Sequence, residues 1–259
     1  SILACPAKWV LEREAGGAHP STAAQGFGLV VHALADRIGK GELADTDDLM
    51  SYVDRVWEQL SFRTPWSRSR ERQEVQAALA RFVAWHSRPG ARTVVATEQH
   101  LTAEVTLPDG QQVRLNGYAD RLELDEAGRV VVIDLKTAKT PPANKDLPEN
   151  AQLGLYQYAV DHGAVDDLLA DHPARPGGPV RSGGAELVQL RAEVRGSAKV
   201  QPQAPQEPDE DGHLPIERQL MEAVAVVRGE EFRARAGKHC DYCSFHSLCP
   251  VKGSGTVLS

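Results

Sequence analysis

Arg129-Val130-Val131-Val132-Ile133-Asp134-Leu135-Lys136 is the stretch that decides the fold. Its β-branched run predicts a strand. A strand has period two, so Asp134 and Lys136 project from one face while Val131, Ile133 and Leu135 occupy the other. Two charges interrupting an apolar strand need partners wherever they are buried. Just upstream, Asp125-Glu126-Ala127-Gly128 predicts a tight turn, and Asp120 lies across it near the end of a preceding strand, 119–124. Antiparallel pairing across that turn would bring Asp120 near Asp134. Two converging carboxylates repel unless a proton or a cation sits between them. A divalent ion resolves the conflict, and hard oxygen ligands suit magnesium or manganese. The plainer alternative is a set of structural ion pairs, Asp134 with Lys136 and Asp120 with Arg121 or a distant arginine.

Outward from this strand, residues 92–98, 100–107 and 111–118 also read as strands, with Pro108-Asp109-Gly110 as a hairpin turn. A loop carrying Pro141, Pro142 and Pro148 leads to an amphipathic helix over 149–162. A strand over 186–193 follows, parallel to an earlier one if the helix is a crossover. Residues 172–184, rich in Pro and Gly, read as a surface loop. Residues 195–215 hold Gln, Pro, Asp and Glu with little that is apolar, and read as a mobile loop. Residues 216–234 return to helical spacing. The N-terminal third is helical: 6–14, 22–39 behind the capping residues Ser21 and Thr22, 46–60, and 67–87 before Pro89-Gly90. The expected organisation is one domain over 1–259: a helical block (1–90), an α/β core (91–194), the mobile loop (195–215) and a C-terminal helix with a cysteine cluster (216–259).

The chain has 259 residues, 41% hydrophobic and 25% charged, an ordinary globular composition. No apolar stretch approaches the ~18 residues of a membrane span. The net charge of −7 argues against a protein coated in basic charge. The first residue is Ser1, and no secretory signal follows, which suggests a piece of a longer cytoplasmic chain.

The four cysteines are Cys5, Cys240, Cys243 and Cys249, too sparse for a disulfide scaffold. Cys240-x2-Cys243 lets two thiolates converge on one metal centre, and Cys249 can supply a third. Cys5 would then be the fourth. Cys5 and Cys249 both precede proline, as ligands of iron–sulfur clusters can. The spacing leaves zinc and an iron–sulfur cluster open. Two unrelated free cysteines, beside a Cys-x2-Cys pair that is redox-active or binds zinc, are the simpler alternative. A shared centre would join the first residues to the last twenty and restrict the unfolded chain strongly.

Asn116-Gly117-Tyr118-Ala119-Asp120-Arg121, followed by Asp134-Leu135-Lys136-Thr137, resembles the Gly-x-x-Asp-Arg and Asp-x-Lys-Thr core of the PD-(D/E)XK nuclease superfamily, in its RecB-like branch. Gly26-x5-His32 is similar to that branch's helical His motif, and Gln152-x3-Tyr156 to its Gln-x3-Tyr motif. The cysteines match the split pattern of its iron–sulfur members. The resemblance implies a restriction-endonuclease-like α/β fold, a mixed central sheet flanked by helices with a 4Fe–4S cluster stapling the chain ends. It implies that His32, Asp120, Asp134 and the Leu135 carbonyl hold Mg2+ or Mn2+, and that Lys136 holds the attacking water. Gln152 and Tyr156 would support the site or touch the DNA backbone. The whole implies a DNA exonuclease leaving 5′ phosphates. It would be the C-terminal nuclease domain of an AdnAB- or AddAB-type helicase–nuclease, with an upstream motor in the same chain and a partner subunit, processing DNA ends and single strands for recombinational repair. A Cas4-like stand-alone nuclease, a non-catalytic DNA-binding scaffold and a zinc-stapled protein are the competing readings.

Residues 61–92 carry seven arginines against Glu71 and Glu74, a local charge of +5. Arg63, Trp66, Arg68, Arg70 and Arg72 are the candidates for holding a single strand by charge and stacking. Phe82 and Trp85 read better as core. Glu98 is as compatible with a solvated strand edge as with a site, and stays outside the ligand set. His86 and His100 read as packed or surface residues.

Overall fold

The computed structural model describes residues 1–16, 23–42, 46–57, 65–173 and 178–252. The helices α1 (Pro6–Arg13), α2 (Ala23–Gly39), α3 (Thr46–Trp57) and α4 (Pro65–His86) come first. Strands β1 (Thr93–Thr106), β2 (Gln112–Leu124) and β3 (Val130–Lys136) follow, then α5 (Ala151–Asp161), β4 (Ser182–Val194), β5 (Ser197–Gln203) and α6 (Pro215–Arg228). The expected caps Ser21 and Thr22 lie outside the described residues. Among the described residues no helix is long and apolar enough to cross a membrane.

The chain divides into two compact units, the larger made of Ser21–Thr106 and Gln112–Ile216. Its sheet has the order β1-β2-β3-β4-β5. β1, β2 and β3 pair antiparallel, β3 and β4 pair parallel with α5 as the crossover, and β5 returns antiparallel to β4. This is the expected mixed sheet with helices on both faces. Val131, Ile133 and Leu135 of β3 join Val188 and Leu190 under α2, α3 and α4. Val130 and Val132 join Leu122, Leu124 and Leu187 against the core that α5 closes with Leu153 and Val160. β3 is thus buried on both faces, which is why its sequence is an almost unbroken apolar run. α4 buries Val75, Ala78, Leu79, Phe82 and Trp85, the three- and four-residue spacing of one helical face.

The segment read as a mobile loop is corrected by the structure, because residues 197–203 are the edge strand β5. Its inward positions include Gln201 and Gln203, so no hydrophobic alternation announces it. Each buried amide is satisfied instead. Gln201 accepts from Gln189 at 2.9 Å and donates to Asn144 Oδ1 at 2.7 Å. Gln203 accepts from Gln157 at 2.7 Å and donates to the Leu147 carbonyl at 2.6 Å. Pro202 is tolerated because an edge strand needs no donor there. The strands expected at 92–98 and 100–107 are one, as are those at 111–118 and 119–124.

Under β2 lies a buried charge network. Arg121 donates to Glu123 at 2.8 Å and to His86 Nδ1 at 2.9 Å. Arg92 bridges Glu123 at 3.2 Å and Glu186 at 2.5 Å. Here His86 is an acceptor and therefore neutral. Burial, with Arg121 and Arg88 beside it, holds its pKa below the ordinary value.

The smaller unit comprises Ser1–Pro20, Leu107–Gln111 and Glu217–Ser259. In it the Ala7 amide donates to the Arg233 carbonyl at 3.4 Å, Trp9 stacks on Phe232 at 6.3 Å, and Arg235 donates to the Leu3 carbonyl at 3.1 Å. Residues near both chain ends therefore pack together.

The His86 geometry predicts a pH dependence. As pH falls through 6.5, the unfolded chain binds this proton before the folded one does, so acidification lowers stability and raising the pH restores it. His86→Gln keeps an acceptor for Arg121 but takes up no proton. Its melting temperature should fall less steeply between about pH 6.5 and pH 5.5 than that of the wild type. Parallel slopes would contradict the assignment.

Candidate active site

Paired positions on β2 and β3 run from Leu124↔Val130 to Arg121↔Ile133 and stop there. The next two residues are Asp120 and Asp134, and the strands part at this point. The Leu135 amide donates to Asp120 Oδ2 at 2.6 Å, so a carboxylate takes the place of a ladder acceptor. The other oxygen, Asp120 Oδ1, lies 3.3 Å from His32 Nδ1 of α2. Arg121 faces Glu123 and His86, which rules out the Asp120–Arg121 ion pair.

Glu98 of β1 completes the group. Its neighbours pair as Thr97↔Arg121 and Gln99↔Ala119, which puts Glu98 opposite Asp120. Ligand atoms of His32, Glu98 and Asp120 lie within 4.8 Å of one another. Glu98 has φ +47°, a conformation that costs a non-glycine residue about 1–2 kcal/mol. Sequence reasoning set Glu98 aside. Its only signal was Thr97-Glu98-Gln99-His100, a run with no apolar residue inside a strand.

Asp134 stands beside this group, 3% exposed. Its Oδ2 lies 2.7 Å from Lys136 Nζ, the ion pair that the shared face of β3 allows. Its Oδ1 accepts from Gln152 Nε2 at 2.8 Å and lies 3.3 Å from Tyr156 Oη. Lys136 Nζ also donates to Gln152 Oε1 at 2.8 Å. Gln152 and Tyr156 share a face of α5, four residues apart. That helix is started by Asn150, whose side chain accepts from the Leu153 amide at 3.1 Å. Tyr156 Oη donates to the Tyr118 carbonyl at 2.9 Å, tying α5 to β2.

The charges are unbalanced toward the negative. Burial raises the Asp134 carboxyl, the like charge of Asp120 adds to this, and Lys136 opposes it. Burial and then Asp120 raise Glu98. Burial would lower His32, but its hydrogen bond to Asp120 and the charges of Asp120, Glu98 and Asp134 more than offset this, and its pKa is raised. Burial and Asp134 push the Tyr156 hydroxyl up, so it stays protonated. His32, Glu98 and Asp120 together offer the nitrogen and oxygen donors that could hold a divalent cation.

Of the expected metal ligands, the structure brings His32 and Asp120 together and adds Glu98. Asp134 adjoins them with its oxygens engaged by Lys136, Gln152 and Tyr156. Leu135 meets Asp120 through its amide. On α4, Trp66 is 67% exposed, and Arg68 and Arg70 are exposed as well. Arg72 is half-buried, and its Nε and Nη2 donate to the Asp54 carboxylate at 2.7 and 2.9 Å. Arg63 lies outside the described residues. Cys5 and Cys240 are buried and Cys243 and Cys249 half-buried, all four as free thiols in the smaller unit. Cys5 sits at the N-cap position of α1 with no capping bond from its side chain, and the Gly237 amide donates to Cys240 Sγ at 3.4 Å.

Residues 1–250 match the family described as the PD-(D/E)XK nuclease superfamily. No curated protein matches the chain. Among solved structures it is similar to the one titled "Crystal structure of SSO0001", at 14% identity over 87% of this chain and 96% of that one, with a TM-score of 0.36. A likeness that loose adds nothing to the site.

The placement of Glu98 has a direct consequence. Glu98→Gln should weaken Mn2+ binding about 10–100-fold, read by calorimetry, with the melting temperature of the metal-free protein unchanged or raised. Unaltered Mn2+ affinity would remove Glu98 from the site.

Proposed function

The chain belongs to the PD-(D/E)XK nuclease superfamily, and from that premise we propose that it is a metal-dependent DNA exonuclease of the RecB-like branch. The observation that carries this reading is the acidic site at the parting of β2 and β3, with Lys136 paired to Asp134 at its edge. His32, Glu98 and Asp120 would hold the ion, joined by Asp134 and the Leu135 carbonyl. When bound, a divalent ion there supplies a sink for the charge developing on the phosphate and lowers the pKa of water. Lys136 orients the attacking water and stabilises the hydroxide it becomes. The attacking water gives its proton to bulk solvent, its oxygen bonds to phosphorus as the P–O3′ bond breaks, and the leaving 3′ oxygen takes a proton from a solvent water. Gln152 holds both Asp134 and Lys136, so it sets the aim of the ammonium group. Tyr156 stays a neutral hydrogen-bond donor.

In the smaller unit the four cysteines would carry a 4Fe–4S cluster. The fit rests on the donor set, four free thiols in one compact unit with an amide directed at Cys240 Sγ. The cluster would be structural, holding the two ends of one nuclease domain. The motif set supports a place at the C-terminal end of a helicase–nuclease that acts on DNA ends in recombinational repair. The motor and partner subunit would then supply much of the DNA affinity, in keeping with a net charge of −7.

With Mg2+ or Mn2+ the protein should release nucleotides from linear single- or double-stranded DNA and leave closed circles intact. Asp134→Ala should cut that rate on the order of a hundredfold or more. Absence of hydrolysis with either metal would overturn the nuclease reading, and equal cutting of circles would overturn the exonuclease one. Protein purified under nitrogen should be brown and contain iron and acid-labile sulfide. Cys5→Ala should lose both and melt at a lower temperature; a colourless zinc protein would refute the cluster.

A further inference from the structure

We infer that Tyr118, backed by His100, is a stacking platform for an unpaired nucleobase of the strand being cut, an inference that rests on the nuclease reading. Tyr118 lies on β2 two residues before Asp120, about 7 Å along the strand. Its main chain is tied to the site, because its carbonyl accepts from Tyr156 Oη at 2.9 Å and that hydroxyl lies 3.3 Å from Asp134 Oδ1. Tyr118 is 63% exposed. Directly opposite on β1, the His100 ring lies 4.9 Å away, inclined by 44°. His100 Nε2 in turn donates to Asn116 Oδ1 at 2.5 Å. The tyrosine is therefore supported on one side by an imidazole that is itself held, and open to solvent on the other.

An exposed aromatic ring packed on an imidazole beside a phosphodiester-cleaving site fits the binding of a nucleobase. A base presents a π-face only when it is unpaired and unstacked, and stacking on an aromatic side chain tolerates every base. With a phosphate at the site, a ring one strand step away is within reach of the base next to it. Tyr118 would be a substrate-positioning residue, favouring single-stranded over paired ends without regard to sequence. A ring pair that merely steadied the β1–β2 hairpin would influence melting and have no dependence on the substrate's bases.

The test is a cycle between protein and substrate. Single-stranded oligonucleotides with ordinary or abasic terminal nucleotides are digested by the wild type, Tyr118→Ala, Tyr118→Phe and Tyr118→Trp. The alanine variant should lose about tenfold in kcat/KM on the ordinary substrate. It should lose nothing further on the abasic one, which the wild type should cut about tenfold more slowly. Phe and Trp should restore the base dependence. The same abasic penalty in wild type and Tyr118→Ala would overturn the platform. In Ca2+, without turnover, the wild type should quench an oligonucleotide carrying terminal 2-aminopurine and Tyr118→Ala should not. Quenching without hydrolysis in Mg2+ or Mn2+ would sink the nuclease reading and keep the platform. Hydrolysis with equal quenching by both proteins would do the reverse, and a wild type that neither binds nor cuts would end both.

Discussion

The hydrogen bond from the Leu135 amide to Asp120 Oδ2, 2.6 Å long, is the constraint on which the site depends. Two strands that separate inside a buried sheet leave main-chain donors without acceptors, and an unmet buried amide is expensive. Here a carboxylate fills the gap, so β2 and β3 can open without losing the bond. The same carboxylate aims its second oxygen at His32. One side chain both satisfies the Leu135 amide and meets the imidazole of α2, which ties the opening of the sheet to the position of the acidic group.

Charge is then divided by function across β2. Arg121, Glu123, Arg92 and Glu186 balance one another's charge in a network that His86 joins as a neutral acceptor. Its arginines are consumed there and do not reach Asp120. Around Asp120 the balance differs. Lys136 is the nearby cation, and it is already shared between Asp134 and Gln152. Burial first, and the neighbouring carboxylate Asp120 after it, raise the pKa values of Glu98 and Asp134, while the surrounding carboxylates raise that of His32. A small divalent ion balances this negative charge more fully than protons do, because it satisfies several carboxylate oxygens at once.

Much of this was legible in the sequence, for reasons that are local. β3 is buried on both faces, and only an uninterrupted apolar run can be. Asp134 and Lys136 meet because strand period places them on one face, and Gln152 and Tyr156 because helix period does. β5 was not legible, since its buried glutamines are neutralised by partners far away in sequence, Gln157, Gln189 and Asn144. Glu98 was hidden for a similar reason: a glutamate in a strand reads as solvated until the strand opposite it is known. That Arg72 has a partner was hidden too, because Asp54, which accepts from its Nε and Nη2, lies on the neighbouring helix.

By itself the sequence determined the helical N-terminal third, the strand β3 with its two charges, the helix α5 and the strand β4 that follow it, and the residue types for acid and amide chemistry. Periodicity acts over a few residues and survives without knowledge of the rest of the chain. Which acids converge, which arginines are spent internally and which polar strand is buried were decided by tertiary structure alone. Those outcomes depend on pairing register and on partners tens of residues apart, and the energy of a buried charge is set by what surrounds it, not by its neighbours in the chain.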